Sequence, residues 1–234
     1  MENRMYHENR KSLNAFVGCN FDCVYCRPSF QRQAKRQKQR CGLCYSYTPH
    51  FHPSRLLKAP PKTLEDGFIF FPSMGDVSFA EKKDFEAMLS YTEKYPNTTF
   101  LIQTKNPECL EGYDFPDNVI LALTLETNLR GYNTPSLYTT YERISKAPIP
   151  IFRFQSFKGL KHRRKIVTVE PILQFSDGLK RWIFQINPEA VYVGYDNHNC
   201  KLPEPTLNET KVLIRDLSEF LEVRTKTIRN AWFE

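Results

Sequence analysis

The sequence predicts an α/β domain built on a parallel sheet, and three observations carry that expectation. Short apolar runs of strand length alternate with stretches of helical pattern, the order in which helical crossovers join parallel strands. A polar or glycine-bearing motif follows one apolar run after another, as happens where strand ends converge on one rim of a barrel-like sheet. The 234 residues suffice for a single domain, 1–234, with a sizeable core, and no internal repeat of fixed period interrupts the alternation.

Taken in order, residues 1–12 are polar and read as a loose lead-in. Leu13 to Val17 is the first strand. It runs into Gly18 and then Cys19, Cys23 and Cys26, at C-x3-C-x2-C spacing, on a loop leaving the C-terminal end of a strand. Parallel α/β folds keep their chemistry there. Three close thiolates can hold three irons of a [4Fe–4S] cube, and the fourth iron is then open to a substrate or cofactor. A structural zinc site is the competing reading. Cys23-x2-Cys26 and Cys41-x2-Cys44 stand fourteen residues apart, near the spacing of a zinc ribbon, but that set leaves Cys19 unused.

The region 27–62 reads as an insertion. Arg27 to Arg40 carries six Lys or Arg and no acid, with helical propensity over Gln31 to Gln39 and Pro28 suited to a helix start. Such a run binds phosphates or is simply solvated. Cys41 and Cys44 can chelate a metal ion such as zinc, with His50 or His52 completing a tetrahedral site. They can equally form a redox pair or remain reduced and structural. Pro53 to Pro61 is a loop.

Phe68 to Phe71 is a short, continuous apolar strand, ending in Ser73-Met74-Gly75-Asp76. A helix over Glu81 to Lys94 follows, with Asp76 a cap in the bland reading. Strands are expected at Thr99–Gln103 and Val119–Leu123, the first leading to Thr104-Lys105 and the second to Thr124, Glu126 and Asn128. Leu137 to Ser145 has helical pattern, and Ile151 to Phe154 is a strand candidate. The basic stretch Lys158 to Lys165 precedes a strand over Ile166–Val169, which ends in Glu170-Pro171. Helices are expected over Gly178–Ile186 and Thr206–Leu221, with a strand at Ala190–Val193 between them. The core then spans 13–222, and 223–234 is a basic tail whose Trp232 and Phe233 pack onto the body.

The cysteine motif, with aromatic Tyr25 before its last Cys, resembles the signature of radical S-adenosylmethionine (SAM) enzymes. The ordered set Phe-Phe-Pro-Ser-Met-Gly-Asp, Phe-Leu-Ile-Gln-Thr-Lys-Asn-Pro-Glu, Val-Thr-Val-Glu-Pro-Ile-Leu and Val-Tyr-Val-Gly extends the resemblance to most of the chain. It is similar to a phage- and prokaryote-associated radical-SAM-like family of unassigned activity related to spore photoproduct lyase. That resemblance implies a partial (β/α)6 barrel, open on one side, with helices outside. It implies a [4Fe–4S] cluster on Cys19, Cys23 and Cys26, SAM on the open iron, and an electron donor such as flavodoxin or ferredoxin. Ser73, Gly75 and Asp76 occupy the place of the family's Gly-Gly-Glu-like SAM motif but depart from it, since Asp76 reaches less far than Glu. Thr124, Glu126, Asn128 and Glu170 are further candidates for SAM or substrate, each with a structural role as its alternative.

Composition bounds the rest. The chain has 33 Lys and Arg against 26 Asp and Glu, a formal charge of +7, which favours a polyanionic partner such as nucleic acid or a nucleotide. Arg32, Lys35, Arg36, Lys38 and Arg40 on one side and Lys158, Lys161, Arg163, Arg164 and Lys165 on the other would form a positive collar if both border the barrel mouth. Tyr45, Tyr47 and Phe157 are candidates to stack an extruded base. Seven cysteines, five of them in metal-type spacings, suit a reducing compartment; Cys109 and Cys200 read as small apolar residues. No leader-like or membrane-spanning apolar run is seen, so a cytoplasmic protein is expected. A zinc-stabilised nucleic-acid-binding module without catalysis is the alternative function.

Overall fold

Strands of one all-parallel sheet follow each other in space in the same order as in the chain. The computed structural model describes residues 6, 11–63, 67–134 and 137–234. Its sheet runs β1 (Lys11–Ser12), β2 (Phe68–Phe70), β3 (Thr99–Thr104), β4 (Val119–Thr124), β5 (Lys165–Val169), β6 (Ala190–Gly194) and β7 (Glu222–Lys226). Because the order never reverses, right-handed crossovers put the helices on one face, and the sheet curls about the other as a partial barrel. The edge strands β1 and β7 do not pair with each other among the described residues.

The connecting helices are α1 (Lys82–Glu93), α2 (Pro150–Gly159), α3 (Gly178–Ile186) and α4 (Leu207–Ser218). Their boundaries have local causes. Pro150 opens α2 at a position where no amide hydrogen bond is lost. Thr206 and Glu209 form a reciprocal capping box at the start of α4.

Period-two alternation sorts the strand side chains into two cores. Ile69, Phe100, Ile102, Leu121, Leu123, Val167, Val169, Val191 and Val193 face outward and join Met88, Phe154, Ile183 and Leu217 of the helices. Phe68, Leu101, Ile120, Ala122, Ile166, Ala190 and Tyr192 face inward. Tyr6 plugs this inner face. Its ring meets Phe68, Phe70 and Tyr192 edge-on, at centroid distances of 5.3, 5.5 and 4.7 Å. Its hydroxyl donates to Gln103 Oε1 at 2.8 Å and lies 2.9 Å from Thr168 Oγ1.

Several elements differ from expectation. The expected first strand, Leu13–Val17, is split. β1 lies upstream of it, Leu13 still donates to Phe70 O at 3.1 Å, and Phe16–Val17 turns away to pair antiparallel with His50–Phe51. The Leu137–Ser145 segment is not one helix. Leu137–Thr140 pairs with Gly131–Thr134 as a hairpin and only Tyr141–Ile144 is helical, in keeping with the strand preference of Tyr138, Thr139 and Thr140. Ile151–Phe154 is helical, within α2, despite its alternating apolar pattern. The Gln31–Gln39 helix is a broken series of wide, regular and tight turns over 27–37, followed by a short helix, Gly42–Ser46.

The expected tail contains a strand. β7 reads as polar because it is an edge strand, and charged residues there discourage pairing with another chain. Its inward residues Arg224 and Lys226 reach the Tyr192 hydroxyl and Glu170 at 2.7 and 2.8 Å. Trp232 and Phe233 do fold back, the indole donating to Leu202 O at 2.6 Å and Phe233 packing on the main core. Cys109 and Cys200 pack partly buried against apolar clusters.

The two basic segments lie at opposite rims. Lys158–Lys165 precedes β5, so it belongs to the end where strands begin. Arg164 there reaches Glu189 at 3.3 Å and Asp117 O at 3.4 Å, residues just upstream of β6 and β4. Only the 27–40 segment borders the rim that carries the cysteines, so the expected collar does not close. Phe157 is fully buried and cannot stack a base.

Removing the Tyr6 ring opens the inner core. Tyr6→Ala is expected to lower unfolding free energy by about 3–5 kcal/mol, the range for buried aromatics, in urea denaturation. Tyr6→Phe should lose only about 1 kcal/mol for the hydrogen bonds. Equal stability of Tyr6→Ala and the parent would show that the inner face is not filled by this ring.

Candidate active site

The strand-end motifs meet as expected, and backbone contact brings them together. Gly18 donates to Met74 O at 2.9 Å and accepts from Asp76 N at 3.2 Å. A Cβ at Gly18, whose φ is +100°, would fall 2.4 Å from the Thr48 carbonyl, and one at Gly75 would fall 2.9 Å from Gly18 O. Only glycine allows three backbones to approach so closely. Asn14 secures the same junction, its Oδ1 accepting from the Ser73 and Met74 amides at 2.8 and 2.9 Å and from Ser73 Oγ at 3.1 Å.

Cys19, Cys23 and Cys26 line one cavity of about 120 Å³ at this rim. Of the seven expected SAM or substrate residues, Ser73, Gly75, Asp76, Thr124 and Glu170 line it as well. Glu126 and Asn128 do not. Asn128 instead clamps Ser176, accepting from its amide at 2.9 Å and donating to its hydroxyl at 2.7 Å. Phe30, Tyr47, Phe70 and Gln103 also line the cavity; Tyr47 is a stacking candidate and Phe70 and Gln103 lie within the motifs quoted above, whereas Phe30 carries no such signal. A second cavity of about 370 Å³ shares Tyr25, Phe30, Phe70, Ser73 and Glu170 with the first and extends to Asp196 and His198.

Two of the expected carboxylates have their oxygens engaged. Asp76 accepts from Ser78 N, Ser78 Oγ, Thr104 Oγ1 and Lys105 N at 2.7–3.0 Å. It caps the turn Val77–Phe79 and ties it to the end of β3. Burial pushes its pKa above the usual carboxylate range, against the pull of those donors. Glu126 is fully buried and receives Arg153 at 2.8 Å, Lys105, the Tyr25 hydroxyl and the Tyr141 hydroxyl. Burial alone would raise its pKa, but Arg153 and Lys105 outweigh burial and hold it at about 2.

Glu170 is different. Lys226 donates to its Oε1 at 2.8 Å, while its buried Oε2 has no partner among the described residues. Burial raises its pKa, Lys226 acting in the other direction. An unpartnered carboxylate oxygen lining both cavities is an acceptor for a ligand's hydroxyl or ammonium.

The thiols are electrostatically unequal. Cys23 Sγ lies 3.1 Å from Ser145 Oγ and accepts from Lys105 Nζ at 3.3 Å. A hydrogen bond from Cys26 lowers its pKa most, Lys105 and Ser145 adding to this against burial, to about 6. Burial raises Cys19, and the bond to Cys23 followed by burial raises Cys26. For Lys105, burial opposes the charge, but Cys23 and Glu126 outweigh it and keep the ammonium protonated. The donor set fits an iron–sulfur cube: three cysteines on one loop, facing one cavity, with the buried Lys105 ammonium 3.3 Å from Cys23 Sγ. Lys105 and Arg153 carry two positive charges against one on Glu126, and thiolate charge restores the balance.

The zinc-ribbon set is not assembled. Cys41 and Cys44 lie with His50 and His52, not with Cys23 and Cys26.

The Glu126 network has a pH signature. Its folded pKa lies below the ordinary 4.5, so its contribution is complete above pH 4.5 and is lost as pH falls toward about 2. Glu126→Gln should destabilise the protein at neutral pH by about 3–5 kcal/mol, the effect of orphaning a buried cation. The gap between parent and variant should narrow across that acid window in denaturant titrations. A gap independent of pH would contradict the ionised carboxylate.

No family model and no curated protein matches the chain. Among solved structures, it is similar to SuiB of Streptococcus suis bound to S-adenosylmethionine, with a TM-score of 0.49, 11% identity, and coverage of 91% of this chain and 49% of that one. It is likewise similar to SuiB bound to precursor peptide SuiA, with a TM-score of 0.49, 11% identity, and coverage of 91% and 47%. The chain spans about half the length of those structures.

Proposed function

We propose that this chain is a radical SAM enzyme. The observation that carries the reading is the convergence of Cys19, Cys23 and Cys26 on one cavity at the C-terminal rim of a parallel partial barrel, beside the unpartnered Glu170 oxygen. Cys19, Cys23 and Cys26 would hold three irons of a [4Fe–4S] cluster as thiolates. Cluster and SAM together would supply, on reduction, a 5′-deoxyadenosyl radical able to abstract a hydrogen atom from substrate.

The protein's own residues perform the remaining tasks. Lys105 donates to Cys23 Sγ and stabilises negative charge on that sulfur. Glu170 Oε2 accepts from a SAM or substrate donor at the junction of the two cavities. Ser73, with the Gly75 backbone beside it, borders the same space. Phe21, Tyr25, Phe30, Tyr47 and Phe70 surround the thiols with apolar surface that excludes water. Asp76, in the cavity wall with its oxygens engaged, holds the loop, and Glu126, one layer behind, holds Lys105 and Tyr25.

The substrate class that the reading favours is nucleic acid or a nucleotide. The 27–40 segment borders the cysteine rim and its charged residues are all basic, and the family resemblance to spore photoproduct lyase points the same way. A flavodoxin or ferredoxin would supply the electron. A non-catalytic zinc module would leave Cys19, the Lys105–Cys23 contact and the Glu170 oxygen without a role.

Anaerobic reconstitution should give a brown protein with about four irons per chain. On reduction it should release 5′-deoxyadenosine from SAM. Cys19→Ala should abolish both. A colourless protein that takes up no iron under these conditions would overturn the proposal.

The rim assignment separates the two basic segments in a binding assay. Neutralising Arg32, Lys35, Arg36, Lys38 and Arg40 should weaken DNA or RNA binding and flatten its salt dependence by roughly one charge per lost phosphate contact. Neutralising Lys161, Arg163 and Arg164 at the opposite rim should leave binding within about twofold, far less than one lost phosphate contact. Equal losses for the two sets, or none for either, would remove nucleic acid as the expected substrate.

A further inference from the structure

Cys41, Cys44, His50 and His52 each offer one ligand atom, and these four atoms all lie within 4.8 Å of one another. We propose that they form a mononuclear zinc site, separate from Cys19, Cys23 and Cys26, that staples the insertion over the cysteine cavity. The inference stands apart from the radical SAM reading for the metal itself, and rests on it only for what lies beneath the staple.

The distances have the scale of tetrahedral zinc. With Zn–S near 2.3 Å and Zn–N near 2.0–2.1 Å, sulfur and nitrogen ligands of one tetrahedral ion lie about 3.5 Å apart. Here His50 Nε2 is 3.4 Å from both Cys41 Sγ and Cys44 Sγ, and His52 Nε2 is 3.1 Å from Cys44 Sγ. Two sulfurs and two imidazoles are a donor set for zinc, not for calcium or magnesium, which take oxygen. Two thiolates and two neutral imidazoles also leave a divalent ion with no net charge.

The surroundings of the ligands support the same assignment. His50 Nδ1 lies 2.7 Å from Thr48 O, so its ring proton is directed there and the Nε2 lone pair faces the sulfurs. The Cys44 amide donates to Cys41 Sγ at 3.4 Å, and Arg55 approaches Cys44 Sγ at 4.0 Å. Backbone pairing places the histidines: Phe16–Val17 pairs with His50–Phe51, and His52 N donates to Ala15 O at 2.6 Å. The four ligands therefore join the Gly42–Ser46 helix to the strand that leads into the cysteine loop.

The staple bears on the neighbouring site through two residues. Thr48, whose carbonyl receives His50, is the residue packed against Gly18. Tyr47 ends the short helix with φ of +60° and lines the cavity with Cys19 and Cys26. Among the described residues their amides donate to the short helix, Tyr47 to Cys44 O and Thr48 to Leu43 O at 3.1 and 3.0 Å, so a metal joining that helix to His50 and His52 would fix their position.

The test uses the full chain, stripped of metal and titrated with Co²⁺ as the probe and then Zn²⁺. One Co²⁺ per chain should bind with the intense visible bands of tetrahedral sulfur–nitrogen coordination, and Zn²⁺ should displace it stoichiometrically. Cys19→Ala, Cys23→Ala and Cys26→Ala should retain these bands. His50→Asn and His52→Asn should each weaken binding at least tenfold, and Cys41→Ser/Cys44→Ser should abolish the sulfur-to-metal band. Should a variant fail to fold, the parent still decides: no tetrahedral cobalt spectrum, or one lost with Cys23→Ala and Cys26→Ala, would overturn the site. Because zinc binding is read without iron or SAM, failure of one assignment leaves the other standing.

Discussion

Burying Glu126 without solvent forces each element around it to supply a donor. Arg153 comes from α2, Lys105 from the end of β3, Tyr25 from the cysteine loop and Tyr141 from the turn after the hairpin. A buried carboxylate is tolerated only when paired and hydrogen-bonded. The pairing is also uneven, with two cations to one anion, and Arg153 Nε and Nη2 have no acceptor among the described residues. The excess positive charge lies toward Cys23, which Lys105 contacts directly. The electrostatics of the core and the ionisation of the cysteine loop are therefore one system, and the loop is anchored by charge as well as by backbone.

The singly wound order of the sheet explains why the site sits where it does. Each strand delivers its C-terminal residue to the same rim, so Gly75, Lys105, Thr124 and Glu170 converge although about a hundred residues separate the first from the last. The same rule sends Lys158–Lys165 to the opposite rim. Charge counted along a sequence cannot distinguish the two ends of a barrel. The direction of the neighbouring strand can, and the basic run before β5 could have been assigned to the far rim on that ground alone.

Much of the architecture was legible because buried parallel strands are nearly pure apolar runs. Phe68–Phe71, Val119–Leu123, Ile166–Val169 and Ala190–Val193 were visible for that reason, and β7 was missed because an edge strand needs no such composition. Pro150 was the available signal that Ile151–Phe154 begins a helix. In the site, the cysteines and Glu170 were legible from spacing and strand-end position. Glu126 was read as a ligand contact because sequence shows a carboxylate at a strand end but not the cations folded onto it. Arg153 could not be read at all, being one arginine on a helix with a mixed pattern. His50 and His52 were recognised as alternatives, whereas the fold brings both together.

Two loops that look continuous in the sequence thus have distinct physical jobs. The first, 18–26, is positioned by sheet backbone and by the Glu126 charges, and it presents three thiols to a cavity. The second, 41–52, buries Cys44, packs Phe51 on the main core and gathers two thiols and two imidazoles around a single point. An ion bound there would tie the Gly42–Ser46 helix to the strand carrying His50 and so hold Tyr47 and Thr48 against the first loop. The apolar wall of the cysteine cavity is supplied partly by the barrel, through Phe70, and partly by this segment, through Tyr47, which the proposed ion would hold.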